Sequence, residues 1–216
     1  MYVLGLTGSI AMGKTWGAKC FRHFGVPVHD ADACVHDLLA PGGAAVDGVL
    51  AAFPDVADGQ GDGQGDGLGG VDRIKLSNIV FDGGEDLHNL EALLHPMVRA
   101  RQHAFLAAQS RAGTRLVVLD IPLLYETGSS ALVDATVVVS APAFIQHRRV
   151  MKRAGMSEEK LGNILRRQTP DAIKRQMADY LVSTAGPRGQ SLRAIGQIVK
   201  VTKALSGYSW GPHWGR

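Results

Sequence analysis

Continuous apolar runs along the chain predict buried strands. Residues 3–6, 116–119 and 136–139 are apolar, β-branched or glycine at each position, without the alternation of a half-buried strand. Such runs are typical of a parallel sheet that helices cover on both faces. Residues 26–29 and 180–182 are shorter candidates for two further strands.

Helical patterns fill the stretches between these strands. Residues 13–24 form a candidate helix that ends at Gly25, a residue suited to a left-handed C-cap. Apolar residues recur at helical spacing over residues 87–108, where Pro96 is expected to break or kink the helix. The other predicted helices span residues 33–39, 142–153 and 192–205 or begin at Ser157 and Pro170. Alternating strands and helices predict an α/β fold with a doubly wound parallel sheet.

Two segments lack periodicity. Residues 58–67 alternate glycine with Asp and Gln, and ordering so many glycines is costly, so we expect a flexible surface loop. This segment lacks the spacing and terminal Glu of a calcium-binding EF-hand. Residues 206–216 hold Trp210 and Trp214 among glycines and are predicted to form a frayed tail. The predicted organisation is therefore a single domain over residues 1–205 followed by this tail.

Composition narrows the class of protein. The 216 residues are 45% apolar and 20% charged, as in ordinary globular domains, and no apolar run is long enough to cross a membrane. The opening residues lack the features of a secretory signal, and the chain has only two cysteines, Cys20 and Cys34, so we expect a cytoplasmic protein. The net charge of +3 suits an anionic small molecule as well as nucleic acid.

A complete phosphate-binding motif follows the first strand. The pattern G-x-x-x-x-G-K-[ST] is matched by Gly8, Ser9, Ile10, Ala11, Met12, Gly13, Lys14 and Thr15. The glycines permit a tight turn whose N–H groups point at phosphate oxygens, and Lys14 reaches the β- and γ-phosphates. The Thr15 hydroxyl binds Mg²⁺, and the helix that begins here adds its positive end. These residues predict a nucleoside triphosphate site, and the absence of Asn-Lys-x-Asp from the sequence argues against a GTPase.

Carboxylates follow two of the predicted strands. Asp30 and Asp32 come after the second strand, at the sheet edge where ligands gather, and one of them is a candidate base for an attacking hydroxyl. The alternative is that one of them caps the next helix. Asp120 ends the strand at residues 116–119, where it either orients water bound to Mg²⁺ or caps a turn before Pro122.

Taken together, these features resemble the dephospho-coenzyme A kinase family over nearly the whole chain. The matching segments are GLTGSIAMGKT (residues 5–15), GVPVHDAD (25–32), VDR (71–73), VF (80–81), LHP (94–96), PLLYE (122–126), QHRR (146–149) with Arg153, and ADY (178–180). The Asp-Ala-Asp at residues 30–32 is the most diagnostic of them. The resemblance implies a P-loop kinase core with a helical substrate-binding insertion at about 70–110 and a small helical lid at about 142–170.

The resemblance also implies roles for individual residues. Asp32 would act as base on the ribose 3′-hydroxyl of dephospho-CoA, with Lys14 and Arg149 as the other catalytic residues. Residues 8–16, which include Trp16, would bind ATP. Thr7, His95 and Arg99 would join Asp32 in contacting the acceptor. Thr15 and Asp120 would serve Mg²⁺.

The implied activity is transfer of phosphate from ATP to dephospho-CoA, the last step of coenzyme A synthesis. The implied partners are these two substrates, with no nucleic acid and no membrane, and the sequence indicates no oligomeric state. Two alternatives stay open: another P-loop small-molecule kinase, such as a nucleoside monophosphate kinase, and a non-catalytic nucleotide-binding module. Positions that depart from the family pattern are Ser9, Met12, Trp16, Ser183, Thr184 and the Gly- and Asp-rich segment.

Overall fold

The predicted strands form one parallel sheet in a computed structural model, which describes residues 1–58, 69–80, 84–211 and 213–214. The strands are β1 (Tyr2–Thr7), β2 (Val28–Asp30), β3 (Leu116–Asp120), β4 (Ala135–Ser140) and β5 (Tyr180–Ser183). They lie in the order β2-β3-β1-β4-β5, and each neighbouring pair is parallel. This confirms the predicted fold class. The central strands β1, β3 and β4 are buried along their whole length, as their unbroken apolar runs indicated.

Helices connect the strands. Those described are α1 (Lys14–His23), α2 (Ala31–Leu39), α3 (Val46–Ala52), α4 (Arg73–Ile79), α5 (Gly84–Arg111), α6 (Ala143–Val150), α7 (Glu158–Arg167), α8 (Asp171–Met177) and α9 (Arg188–Thr202). Gly25 follows α1 with φ of 68°, and Ser157 accepts the Lys160 N–H at the start of α7, so both predicted caps are confirmed. Within the described ranges, no helix has both the length and the apolar character needed to cross a bilayer.

The chain divides into two compact units. The first comprises Met1–Asp30 and Phe105–Arg216, and it contains the sheet. Alternate residues of β1 enter different apolar clusters, Leu4 and Leu6 with residues of α1 and α9, and Val3 with Leu106 of α5. Two clusters that share one strand in this alternating way lie on opposite faces of the sheet, so both faces are covered.

The second unit, Ala31–Ala104, has an apolar core of its own. It begins well before the insertion predicted at about residue 70, because α2 and α3 belong to it. Helix α3 is not among the helices that the sequence predicts. Of the Gly- and Asp-rich segment 58–67, only Asp58 is described. The other nine residues, and Phe81, lie outside the described residues.

Pro96 lies inside α5, which runs through it as one helix, so of the predicted break or kink the break is wrong and the kink stays a prediction. A proline removes one backbone hydrogen bond and crowds one turn, but the turns before and after it keep their bonds. The buried side chains of Leu90 and Leu94 on the N-terminal side, with Met97 and Val98 packed on the same core, hold both parts of the helix in place.

The structure also contradicts the frayed tail that the sequence predicts for residues 206–216. Trp214 is 6% exposed within the first unit, and its indole N–H donates to the carbonyl of Leu132 at 2.8 Å. The Asp134 carboxylate accepts the N–H groups of Tyr208 at 2.6 Å and Ser209 at 2.7 Å, and that of Val3 at 2.7 Å. One carboxylate therefore holds the tail and the first strand together.

We expect Asp134→Ala to lower the free energy of unfolding by about 2–3 kcal/mol, because three backbone donors lose a charged acceptor. Urea unfolding of the full chain measures this loss. In a chain that ends at Ser206 the same substitution is expected to cost less, because only the bond to Val3 remains. An Asp134→Ala protein that unfolds at the wild-type urea concentration would contradict this role.

Candidate active site

Three strands of the first unit end at one edge of the sheet and bring the predicted phosphate site together. Pairing of β1 with β3 places Leu6 beside Asp120, and pairing of β2 with β3 places Asp30 beside Asp120. The phosphate loop follows β1 directly, and α1 begins at Lys14. The loop, Asp30 and Asp120 are therefore gathered at the carboxyl edge of a parallel sheet, the usual location of ligands in this architecture.

Two glycines of the loop are required by its geometry. A Cβ atom on Gly8 would lie 2.6 Å from the Val139 side chain and 2.7 Å from the Val139 carbonyl oxygen, so no side chain fits there. Gly13 is the N-cap of α1 and has φ of 96°, in the left-handed region that favours glycine. Both glycines of the motif thus have a structural reason in this chain.

Side chains from outside the loop hold three successive carbonyl groups of it. The Ile10 carbonyl accepts from Gln146 Nε2 at 2.9 Å, the Ala11 carbonyl from Arg149 Nη1 at 3.3 Å, and the Met12 carbonyl from Thr184 Oγ1 at 2.6 Å. The first N–H groups of α1 have no intrahelical acceptors, and Gly13 provides no side-chain cap. The result is a positive helix end suited to an anion.

Lys14 forms an ion pair at this edge. Its ammonium nitrogen lies 2.8 Å from Asp120 Oδ1, and the side chains are 15% and 2% exposed respectively. The next residue, Thr15, is exposed at the first turn of α1. Lys14 and Asp120 are therefore in contact, Thr15 directly follows Lys14, and Thr15 and Asp120 offer the hard oxygen donors that Mg²⁺ prefers.

The residues predicted to contact the acceptor are Thr7, Asp32, His95 and Arg99. Thr7 is fully buried and donates its hydroxyl hydrogen to the Pro122 carbonyl at 2.9 Å, so it braces the start of the loop and has no surface for a substrate. This replaces the predicted substrate contact at Thr7. Asp32, in the first turn of α2, and His95 and Arg99, on α5, belong to the second unit, and all three are exposed there.

Comparison with known proteins identifies the family. A family model described as dephospho-CoA kinase matches residues 2–187. The chain belongs to the dephospho-CoA kinase family. A dephospho-CoA kinase of Paramagnetospirillum magneticum is 53% identical over 175 residues, which cover 81% of this chain and 78% of that one. One of Rhodospirillum rubrum is 48% identical over 206 residues, 95% of this chain and 92% of that one.

Solved structures share the fold of this chain. The structure of TT1252 from Thermus thermophilus is 32% identical, with a TM-score of 0.76, and the match covers 95% of this chain and 98% of that one. A dephospho-CoA kinase from Campylobacter jejuni shares the fold, with a TM-score of 0.61 at 20% identity over 93% and 96% of the two chains. Membership of the family makes the chain an ATP-dependent kinase that phosphorylates dephospho-CoA in coenzyme A biosynthesis.

The departures from the family pattern are accommodated locally. Met12 is 2% exposed in the core, and its sulfur accepts the Ala141 N–H at 3.1 Å. The Trp16 indole donates to Ser191 Oγ at 2.8 Å, and its ring lies under the Arg188 guanidinium, 4.9 Å from the ring centroid. Trp16 therefore joins α1 to α9, which explains how a large side chain is placed directly after the phosphate motif.

Thr184 and Arg149 form a second attachment for the loop. Arg149 donates from Nη1 to Thr184 Oγ1 at 3.1 Å and from Nη2 to the Thr184 carbonyl at 2.6 Å. A Cβ atom on Gly13 would lie 3.1 Å from the Thr184 side chain. Thr184 thus packs against the N-cap of α1 and links Arg149 to the phosphate loop.

Several residues that contact this site were not assigned a role from the sequence. Gln146 shares the buried face of α6 with Val150, and a glutamine at an interior position is an unusual signal. Gln168, directly after α7, accepts the Ile10 N–H at 3.0 Å, and Lys174 on α8 is fully buried. The sequence around Gln168 and Lys174 has the polar pattern of a solvated helix end, so it gives no signal of these contacts.

His29 in β2 has an environment that changes its titration. It is half-buried, and its ring centroid lies 5.4 Å from that of Phe105. Burial lowers the pKa of His29 from its ordinary value of 6.5, and the charge of Asp30 partly opposes this shift. The folded protein therefore binds the proton less readily than the unfolded chain.

We expect this histidine to make the fold less stable in mild acid. Because burial depresses the pKa of His29 in the folded protein, its full contribution to the free energy of unfolding is present above pH 6.5. That contribution is lost as the pH falls from 6.5 towards the folded-state pKa. Urea unfolding of wild type and His29→Leu at pH 7.5 and pH 5.5 measures it. The wild-type midpoint should fall more than that of the variant, and equal falls would contradict the assignment.

Proposed function

We propose that the chain transfers the γ-phosphoryl group of ATP to the ribose 3′-hydroxyl of dephospho-CoA. The observation that carries this proposal is the phosphate loop of a dephospho-CoA kinase family member, with Lys14 at its end and three of its carbonyls held by side chains. Such a loop binds the phosphates of a nucleotide through N–H groups, a lysine and a helix terminus.

Lys14 supplies the mobile positive charge. Its ammonium pairs with Asp120, and an ATP phosphate that binds beside it offers the ammonium a second anionic partner. In phosphoryl transfer, catalysis is mostly positioning and neutralisation of charge on the phosphate oxygens. Lys14 therefore stabilises the transition state more than the ground state, since charge on the bridging oxygen grows as the bond to the γ-phosphorus breaks.

Thr15 and Asp120 fit a magnesium ion. Mg²⁺ prefers oxygen ligands and is commonly held by one or two protein oxygens together with substrate phosphates. The Thr15 hydroxyl is exposed at the helix start, and the Asp120 carboxylate lies at the same sheet edge beside Lys14. When bound, the ion would neutralise charge on the ATP phosphates.

Asp32 is the proposed base. It follows Asp30 by two residues, and Asp30 ends β2 beside Asp120 in the sheet register. Asp30 lies 3.9 Å from Arg22, so it has a bracing partner within the first unit. Asp32 is exposed in the first turn of α2 and accessible to an acceptor hydroxyl. His95 and Arg99, exposed four residues apart on α5, are proposed to contact the CoA portion of the acceptor.

Arg149 is proposed to act on the ATP phosphates from a lid formed by residues 142–170. We expect Arg149→Lys to lower kcat/KM for ATP at least ~10-fold, because an ammonium cannot bridge several oxygens as the planar guanidinium does. Steady-state kinetics at saturating dephospho-CoA measure the change. Arg148→Lys is the matched control, since Arg148 is exposed on the same helix, and it should behave as wild type.

Hydrogen exchange tests the lid itself. ATP is expected to slow exchange across residues 142–170. Unchanged exchange in this segment, or full activity of Arg149→Lys, would contradict a lid that acts through Arg149.

Release of ADP with a panel of acceptors tests the proposed function. We expect turnover with dephospho-CoA to exceed that with nucleoside monophosphates, nucleosides and sugars by at least ~100-fold, since a site built for one acceptor rejects others that leave polar groups unpaired. Preference for a nucleoside monophosphate would make the chain a different small-molecule kinase. Tight ATP binding without turnover of any acceptor would make it a non-catalytic binding module.

A further inference from the structure

A buried ion pair lies beside the phosphate loop without a role in the proposed chemistry. Lys174 of α8 is fully buried, and its ammonium lies 2.8 Å from Glu126 Oε1, whose side chain is 14% exposed. Removing a lysine and a carboxylate from water is costly, and such pairs often add nothing to stability compared with apolar residues. Stability alone therefore does not explain why this buried ion pair is present.

Glu126 also holds the backbone of a neighbouring segment. Its Oε1 accepts the N–H of Thr169 at 2.7 Å, so the same carboxylate oxygen binds Lys174 and fixes the link between α7 and α8. Burial tends to raise the pKa of Glu126, but the hydrogen bond from Lys174, the bonds from backbone N–H groups and the Lys174 charge together leave it below the usual value. Glu126 is therefore an anion at neutral pH, as this arrangement requires.

The fixed segment reaches the phosphate loop through one side chain. Gln168, directly before Thr169, accepts the Ile10 N–H on its Oε1 at 3.0 Å. Gln146 of α6 donates to the carbonyl of the same residue at 2.9 Å. Both backbone polar groups of Ile10 are thus held by glutamines, one from α6 and one from the end of α7, which lie near the two ends of the proposed lid.

We propose that Glu126, Lys174 and Gln168 are positioning residues that fix the phosphate loop for ATP, an inference that rests on the proposed function of that loop. Glu126, paired with Lys174, holds the Thr169 N–H. This sets the place of Gln168, and Gln168 with Gln146 fixes Ile10 from both sides. The loop is thereby ordered before ATP binds, so less conformational entropy is lost on binding.

The order of the contacts gives distinct expectations for variants. Gln168→Leu removes the tether and should weaken ATP binding about 10-fold, since one hydrogen bond to the partly buried Ile10 amide is lost. In Glu126→Leu/Lys174→Met the buried charges are replaced by apolar groups, so folding is preserved, but Thr169 loses its acceptor. This double variant should weaken ATP binding to a similar extent.

A conservative double variant provides the rescue. Glu126→Gln/Lys174→Met also removes both charges but keeps an oxygen that accepts the Thr169 N–H, so ATP affinity should recover to within about twofold of wild type. Adding Gln168→Leu to Glu126→Leu/Lys174→Met should weaken binding no further than Gln168→Leu alone, because the contacts act in series.

The experiment is calorimetric titration of each full-length variant with ATP and Mg²⁺, together with KM for ATP and for dephospho-CoA. We expect the affinity for ATP and KM for ATP to change and KM for dephospho-CoA to stay constant. Asp134→Ala loosens the tail and the start of β1, at the end of that strand opposite the phosphate loop. This variant serves as the control for stability and should bind ATP as wild type does.

Three results would overturn the proposal: wild-type ATP affinity in Gln168→Leu, additive losses in the combined variant, or equal weakening by the Gln and Leu replacements of Glu126. Because titration with ATP needs no acceptor, its outcome is independent of whether dephospho-CoA is phosphorylated. A wild-type protein that shows the expected ATP affinities but no turnover would contradict the proposed function and leave the positioning role intact.

Discussion

Asp32→Asn is expected to lower kcat by about 10²–10⁴-fold and to leave KM for ATP and for dephospho-CoA near their wild-type values. Asparagine keeps the shape and the hydrogen-bonding capacity of the side chain but accepts no proton. A group that acts only in the transition state changes kcat and kcat/KM together. Steady-state kinetics with each substrate varied in turn measure this pattern.

Asp30→Asn is the matched control for this prediction. Asp30 ends β2 and lies 3.9 Å from Arg22, so its substitution should affect local stability more than turnover. Full-rate transfer by Asp32→Asn together with loss of turnover in Asp30→Asn would show that the other aspartate is the base.

Lys14→Ala is expected to lower kcat at least ~100-fold while the protein stays folded, because the point charge on the β- and γ-phosphates is lost. The substitution also leaves Asp120 without its ammonium partner, so urea unfolding is measured beside the kinetics. Lys19→Ala, at an exposed position on the same helix, controls for the loss of one lysine and should keep wild-type turnover.

Turnover of Lys14→Ala at the wild-type rate would contradict the phosphate-loop assignment. A variant that has lost its fold is recognised from the unfolding curve. Lys14→Met, which keeps the aliphatic stem, then separates loss of charge from loss of packing, and it too should lose at least ~100-fold in kcat.

The parts of this molecule that the sequence predicts are those coded by neighbouring residues. The unbroken apolar runs of β1, β3 and β4 predict parallel, doubly covered strands because no position in them faces water. The phosphate loop is predicted for the same reason, since its motif is one contiguous run of residues and Gly13 meets a local backbone condition, a φ of 96°.

Contacts between distant segments could not be predicted in this way. Gln168 and Ile10 are separated by 158 positions, and Trp214 and Leu132 by 82. The tail is rich in glycine and has no period, yet the carboxylate of Asp134, the buried Trp214 and the partly buried Trp210 give it a fixed place. Nothing in the local pattern shows which side chain will provide such an anchor.

The continuity of α5 illustrates a local rule that tertiary packing overrides. Pro96 predicts an interruption from its missing N–H, but apolar residues on both sides of it belong to the same core in the second unit. Propensity and backbone bonding each contribute about 1–3 kcal/mol at such a position, and burial of several leucine and methionine side chains exceeds that.

Identification of the product is the sharpest test of phosphate transfer to the ribose 3′-hydroxyl of dephospho-CoA. The protein is incubated with ATP, Mg²⁺ and dephospho-CoA, and the product is analysed by ³¹P NMR and mass spectrometry, with 3′-deoxy-dephospho-CoA as a matched acceptor that lacks the proposed hydroxyl. We expect one ADP for each new phosphate monoester on the ribose 3′-oxygen and no product from the 3′-deoxy compound. Phosphorylation at another position, or of the 3′-deoxy acceptor, would contradict this expectation.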